Sequence, residues 1–182
     1  PTKTMQLTIE LPPREQQIEF NRIRWSEILA DQELAQLLYR IESNAYGQIT
    51  MTPPASGGHS TRQTRIILEM DRLLGGQPLA ECPISTIDGV KVADVGWYSD
   101  KRFADVEGQS VFETAPEICV EVLSPSNTEL EMRLKRQVYF EAGAVEIWLC
   151  NLNGSMQFFL KSNPHMGQTK SEFCPNFPGQ IG

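Results

Sequence analysis

The run from Pro116 to Trp148, PEICVEVLSPSNTELEMRLKRQVYFEAGAVEIW, leaves the chain few folds to choose from. Ile118 to Leu123 is a short, β-branched and apolar segment, the pattern of a buried strand, with one acid, Glu121, in its second half. A carboxylate is costly to bury there unless something pairs with it. Ser124-Pro125-Ser126-Asn127 makes a turn, and Thr128 with Glu131 three residues on forms the capping box of a helix start. The helix is expected to run to about Ala142 and to close at Gly143, with an apolar stripe of Leu130, Leu134, Val138 and Ala142. Lys135 then lies one position off that stripe, at the border between core and solvent. A second apolar strand, Val145 to Cys150, follows at once. Strand, crossover helix, strand is a βαβ unit, and it brings an inward acid and a basic side chain to one side of a sheet.

Length and composition bound what that unit can belong to. With 182 residues, 40% hydrophobic and 21% charged, the chain suits one globular domain over 1–182. No apolar run approaches the ~20 residues of a spanning helix, and the N-terminal PTKTMQLTIELPP lacks the apolar centre of a signal peptide, so a cytoplasmic protein without a membrane partner is expected. Cys82, Cys119, Cys150 and Cys174 are scattered singly, without zinc-site pairs or disulfide-scaffold spacing, and read as reduced thiols. The net charge of −7 argues against broad non-specific nucleic-acid affinity and leaves room for a local basic face.

Along the rest of the chain, residues 1–24 read as an N-terminal strand or arm, and Ser26 as the cap of a helix from Glu27 to about Leu38. Tyr39 to Ser43 and Gln48 to Thr52 look like two short strands joined by the Asn44 to Gly47 turn. A helix from about His59 to Leu74 ends at Gly75-Gly76, and Asp88-Gly89 marks a hairpin between Leu79 to Ile87 and Val90 to Tyr98. Ser99 to Ala115 reads as a long loop, either mobile or functional. Asn151 to Gly154 turns into a last hairpin strand, Ser155 to Leu160, and the tail 161–182 is expected to add one strand around Phe173.

Asp94 on one strand, Glu121 on the next major strand and Lys135 on the following helix form the constellation that carries chemistry. Two converging acids suit Mg²⁺, which prefers carboxylate oxygens and keeps waters for a substrate phosphate, and a nearby lysine can orient or deprotonate the attacking water and offset charge on the phosphorane. Spacing alone is a weak signal, since any α/β protein offers such a triple somewhere. Taken singly, Asp94 also reads as a strand-end acid, Lys135 as a solvated helix residue among Arg133 and Arg136, His59 as a helix-start residue, and Tyr139 and Trp148 as core or rim aromatics.

Ala93-Asp94-Val95, APEICVEVLSPSN at 115–127, Lys135 with Tyr139, EAGAVEIWLCN at 141–151 and YRIESNAYGQITMTPPASGGH at 39–59 together resemble the Uma-two family (domain of unknown function 820) of the restriction-endonuclease-like PD-(D/E)XK superfamily. The resemblance covers roughly Tyr39 to Leu160. It implies an α/β fold with a mixed β-sheet core flanked by helices, here with extra N-terminal and C-terminal strands, and an endonuclease acting on DNA with Mg²⁺ or Mn²⁺. Its implied site has Asp94 and Glu121 holding the ion with the Val122 backbone carbonyl and waters, while Lys135 positions the nucleophilic water. Glu42 resembles a family position that adds a ligand and reads equally as a surface acid. The motif proline is Ala93 here and the motif lysine is Leu123; the family pattern supplies a lysine from the next helix, which Lys135 matches. The alternative is a catalytically silent nucleic-acid or protein-binding module on the same fold.

Cutting both strands of a duplex calls for two sites, so a homodimer or higher homo-oligomer is expected. Its candidate surfaces are the N-terminal arm and the hairpin around Met156 to Leu160, where Phe158 and Phe159 point to opposite faces. On the helix, Arg133 and Arg136 are expected to face solvent or a DNA backbone.

Overall fold

The computed structural model describes residues 13–182; the part of the expected N-terminal arm before Pro13 lies outside the described residues. Over 14–24 the chain is helical, as the first part of α1 (Arg14–Ala30), and not a strand. Its buried positions, Gln17, Asn21, Trp25 and Ile28, keep helical spacing, but two of them are amides. Gln17 Nε2 donates to Asn21 Oδ1 at 2.8 Å, and Asn21 Nδ2 donates to Ser85 Oγ and to the Thr86 carbonyl, both at 2.9 Å. Polar side chains thus dock the helix, and no apolar period announces it. Ser26 caps nothing: its hydroxyl donates back to the Arg22 carbonyl, and Asp31 caps the short α2 (Gln32–Ala35) by accepting from the Glu33 and Leu34 amides.

β1 (Arg40–Ser43) and β2 (Ile49–Thr52) form an antiparallel hairpin. α3 (Gly57–Leu74) follows, with Ser56 Oγ accepting from the His59 amide at its start and Ile66 and Met70 buried. β3 (Gln77–Thr86) and β4 (Gly89–Tyr98) are the Asp88-Gly89 hairpin. Gly89 has φ 79° and leaves no room for a Cβ beside the Asn44 carbonyl, so the two hairpin turns meet only because it is glycine.

The Ser99 to Ala115 segment is built, not loose. It contains the short α4 (Asp100–Ala104), a bridge between Phe112 and Ile84, and the Thr114 carbonyl that accepts from Tyr98 Oη at 2.8 Å. Arg102 Nη1 ties it down by donating to the Ala115 and Gly143 carbonyls.

The βαβ unit is present as β5 (Ile118–Val122), α5 (Glu129–Glu141) and β6 (Glu146–Cys150), with β5 and β6 parallel and Thr128 and Glu131 forming the capping box. β7 (Met156–Leu160) and β8 (Asn163–Gln168) complete a six-stranded mixed sheet in the order β3-β4-β5-β6-β7-β8, in which the other pairings are antiparallel. The last strand is therefore β8 and not a segment around Phe173. The chain around Phe173 is instead held by the buried Glu146 carboxylate, which accepts from Trp148 Nε1, Ser171 Oγ and the Glu172 and Phe173 amides.

Helices cover both faces of the sheet. One core gathers Tyr98, Cys119, Tyr139, Phe140, Ile147 and Phe159 under α5; the other gathers Ile66, Met70, Val95, Val120, Trp148 and Phe158 under α3. Phe158 and Phe159 do point to opposite faces, but both are buried in these cores and leave no free aromatic surface for a partner.

The stripe expected for α5 is wrong in its first half. Leu130 and Leu134 are 55% and 53% exposed, whereas Met132, Arg136, Tyr139 and Phe140 are buried at i, i+4, i+7 and i+8. An arginine occupies a core-facing position, with its guanidinium carbon 4.1 Å from the centre of the Phe159 ring. Arg136 is thus turned inward, not toward solvent. All four cysteines are buried free thiols, and among the described residues no helix is long and apolar enough to cross a membrane.

Candidate active site

β4 and β5 pair through Val95–Trp97 and Ile118–Val120 and then part. One register step past the last pair, Asp94 stands opposite Glu121, so both acids sit where the central strands separate. The ladder is replaced there by a side chain: the Val122 amide donates to Asp94 Oδ2 at 2.6 Å. β1 crosses the opening and supplies further substitutes, with Glu42 Oε1 accepting from the Val92 amide at 2.9 Å and Ser43 Oγ from the Val90 amide at 3.0 Å. Each N–H left by the parting strands thus finds an oxygen, which ties the small hairpin to the sheet.

The result is a cavity of about 630 Å³ lined by Arg40, Glu42, His59, Asp94, Glu121 and Lys135, among others. Asp94 is 1% exposed and Glu121 5% exposed. Arg40 Nη1 lies 2.7 Å from Asp94 Oδ1, and His59 Nε2 lies 3.3 Å from Asp94 Oδ2. Lys135, two turns into α5, reaches past the Ser124-Pro125 turn: its Nζ donates to Glu42 Oε1 at 2.8 Å and lies 3.4 Å from both Glu121 oxygens. Tyr139, one turn further along α5, donates its hydroxyl to Glu121 Oε1 at 2.7 Å. The structure therefore brings Asp94, Glu121, Lys135, Glu42 and Val122 to one cavity.

Electrostatics sort these groups into different protonation states. Burial opposes charge on Asp94, but the His59 hydrogen bond and the Arg40 charge outweigh it and hold the carboxyl below the usual range. Glu121 goes the other way: burial, aided by the Asp94 charge, pushes it up to about 7 despite Lys135. Lys135 is buried too, yet the Glu121 and Glu42 charges raise it above an ordinary lysine, so it stays an ammonium. Burial likewise raises the Tyr139 hydroxyl, which remains a donor. His59 is raised chiefly by its hydrogen bond to Asp94.

Among the described residues, no three His, Cys, Asp or Glu side chains form a ready cluster of metal ligands. The donor chemistry still fits a hard divalent ion. Two buried carboxylates face each other, and Glu121 at about 7 is a site short of positive charge even with Lys135 beside it. Mg²⁺ needs only one or two protein carboxylates, because it keeps several waters.

Arg40 was not legible as a site residue, although a signal existed: it is two positions before Glu42 in β1, and strand alternation puts both on one face. His59 and Tyr139, read as helix-start and core residues, both touch the site carboxylates. A non-glycine outlier, Glu81 at φ 50°, lies at the β3 position opposite Asp94 and places its carboxylate 3.0 Å from Arg40 Nε.

The model of the Uma2 family, described as "Putative restriction endonuclease", matches residues 31–170. The crystal structure of a "putative nuclease belonging to DUF820" from Anabaena variabilis ATCC 29413 superposes with a TM-score of 0.63 at 18% identity, over 81% of this chain and 84% of that one. At that identity the likeness is one of fold. No curated protein matches the chain significantly.

Proposed function

The chain belongs to the Uma2 family, and from that premise we propose that it is a divalent-metal-dependent endonuclease that hydrolyses DNA phosphodiester bonds at the Asp94–Glu121–Lys135 cavity. The observation that carries this reading is Lys135. Leu123 leaves the strand without the motif lysine, and an ammonium from α5 sits within 3.4 Å of both Glu121 oxygens instead. Asp94 and Glu121 would hold Mg²⁺ or Mn²⁺, with the Val122 carbonyl and Glu42 as further oxygen donors. Such an ion, when bound, supplies Lewis acidity, neutralising phosphate charge and lowering the pKa of a water.

The chain's own residues divide the remaining work. Arg40 and His59 keep Asp94 ionised at neutral pH, so it is ready as a ligand. Tyr139 fixes the Glu121 carboxyl by donating to one of its oxygens. Lys135 remains protonated, so it does not take the proton of the attacking water. Its part is to orient that water by hydrogen bonding and to offset the charge that builds on the phosphate oxygens in the transition state. We place this work in the cytoplasm, with a homodimer or higher homo-oligomer whose copies would cut the two strands of a duplex.

One observation favours the silent binding module: Arg40 already places a positive charge 2.7 Å from Asp94 Oδ1. Calorimetric titration with Mg²⁺ and Mn²⁺ separates the two. A saturable site that Glu121→Ala abolishes supports the nuclease, and the absence of any saturable site supports the silent module. A screen over single-stranded, duplex and branched DNA then names the substrate.

A further inference from the structure

We propose that a second cavity, on a different flank of α5, binds a phosphate group. The cavity measures about 540 Å³ and lies between α5 and β8, and among the described residues its cationic liners are Arg133, Arg136 and Lys161, with Glu141 the one acid; His165 and Gln137 add further polar groups. Three fixed positive charges against one negative stand out on a chain whose net charge is −7.

Arg136 makes this a built site and not a chance gathering of surface cations. Its side chain is only 4% exposed, yet among the described residues its one acidic contact is Glu129, at 3.4 Å from Nη2, on a side chain that is itself 84% exposed. Nε and Nη1 are buried with no hydrogen-bond partner among the described residues. Phe159 covers one face of the guanidinium, 4.1 Å from the ring centre, which supports the charge without neutralising it. A buried guanidinium with no firm counterion is costly. An anion in the adjoining cavity would supply the missing charge. Arg133 and Lys161 at the exposed rim then act as the mobile second and third contacts, and a phosphate suits the set because it carries enough oxygens and charge for several cationic donors at once. The phosphate could belong to a nucleic-acid backbone or to a free nucleotide or inorganic phosphate, and the chemistry of recognition is the same for all.

The test is a phosphate titration of the full chain, followed by the Arg136 Nε–H resonance, which the Phe159 ring shifts away from those of exposed arginines. It is run without divalent metal and reads a cavity separate from the Asp94–Glu121 site, so its failure and that of the nuclease reading are distinguishable. Inorganic phosphate is expected to move the resonance saturably. The double variant Arg133→Gln, Lys161→Gln, altered only at exposed rim positions, should weaken the effect about tenfold or more, as expected for losing charge-assisted contacts. Displacement of bound phosphate by a short duplex identifies a DNA backbone as the source. Displacement by a mononucleotide and not by the duplex identifies a small molecule. No saturable shift up to about 50 mM phosphate, beyond any useful affinity, or equal binding by wild type and the rim variant, would overturn the proposal.

Discussion

Replacing Lys135 by methionine removes one charge and leaves two carboxylates that depend on it. The Lys135 and Glu42 side chains are 11% and 12% exposed and that of Glu121 only 6%, so the interaction is not a solvent-screened surface pair. Breaking a buried pair from one side costs on the order of 3–5 kcal/mol. Part of that is recovered, because Glu121 already sits at about 7 and rises further once the ammonium is gone, so near neutral pH it takes up a proton instead of remaining an unpaired charge. A net loss of about 3 kcal/mol at pH 8 follows. With a urea m-value of about 2 kcal/mol/M, the unfolding midpoint should fall by roughly 1.5 M. The sign of the pH dependence is fixed by the same shift. Glu121 is raised in the folded state, so its ionisation erodes stability as pH climbs from its unfolded value of 4.5 through about 7. In Lys135→Met the folded value is higher still, the erosion continues to higher pH, and the gap from wild type should widen above pH 7. Urea unfolding in chelator from pH 6 to 9 reads this out, and adding Glu121→Gln to the variant should close much of the gap. A loss below about 0.5 kcal/mol, typical of an exposed side chain, or one that does not change with pH, would contradict a buried Lys135–Glu121 pair.

Glu146→Ala should leave the donors of Ser171, Glu172, Phe173 and Trp148 without their acceptor, destabilising the chain by about 2–4 kcal/mol and opening 163–182 to limited proteolysis. His59 is raised by its bond to Asp94, so it contributes stability below its unfolded value of 6.5 and loses it as pH rises through the higher folded value. An NMR titration should find that elevation gone in Asp94→Asn, and an unchanged His59 would contradict the pairing. Light scattering at high concentration should report a dimer, and monomer alone would remove duplex cleavage by paired copies.

The βαβ unit was legible because its strands are short apolar runs and its helix carries the Thr128–Glu131 capping box, both local signals. α1 was not, because the side chains that dock it include Gln17 and Asn21, and burial by hydrogen bonding leaves no hydrophobic period. The α5 stripe departs from its expected residues for a related reason: Arg136 fills a core position that the Phe159 ring beneath it makes habitable. In the candidate site, Glu121 was readable as an acid inside an apolar strand, and Asp94 as an acid on the preceding major strand. Arg40 carried no site signal of its own and His59 read first as a helix-start residue, because their meaning depends on β1 and the start of α3 closing over part of β4, and that contact has no local sequence signature.

Cleavage of supercoiled plasmid DNA with Mg²⁺ or Mn²⁺, comparing wild type with Glu121→Gln and Lys135→Met, tests the central claim most directly. Wild type should nick the plasmid only with metal, Glu121→Gln should lose both metal binding and cleavage, and Lys135→Met should lose cleavage by at least about 10²-fold while still binding the ion. Undiminished cleavage by Lys135→Met would contradict the role given to the lysine, and no cleavage by any form with either ion would contradict the nuclease itself.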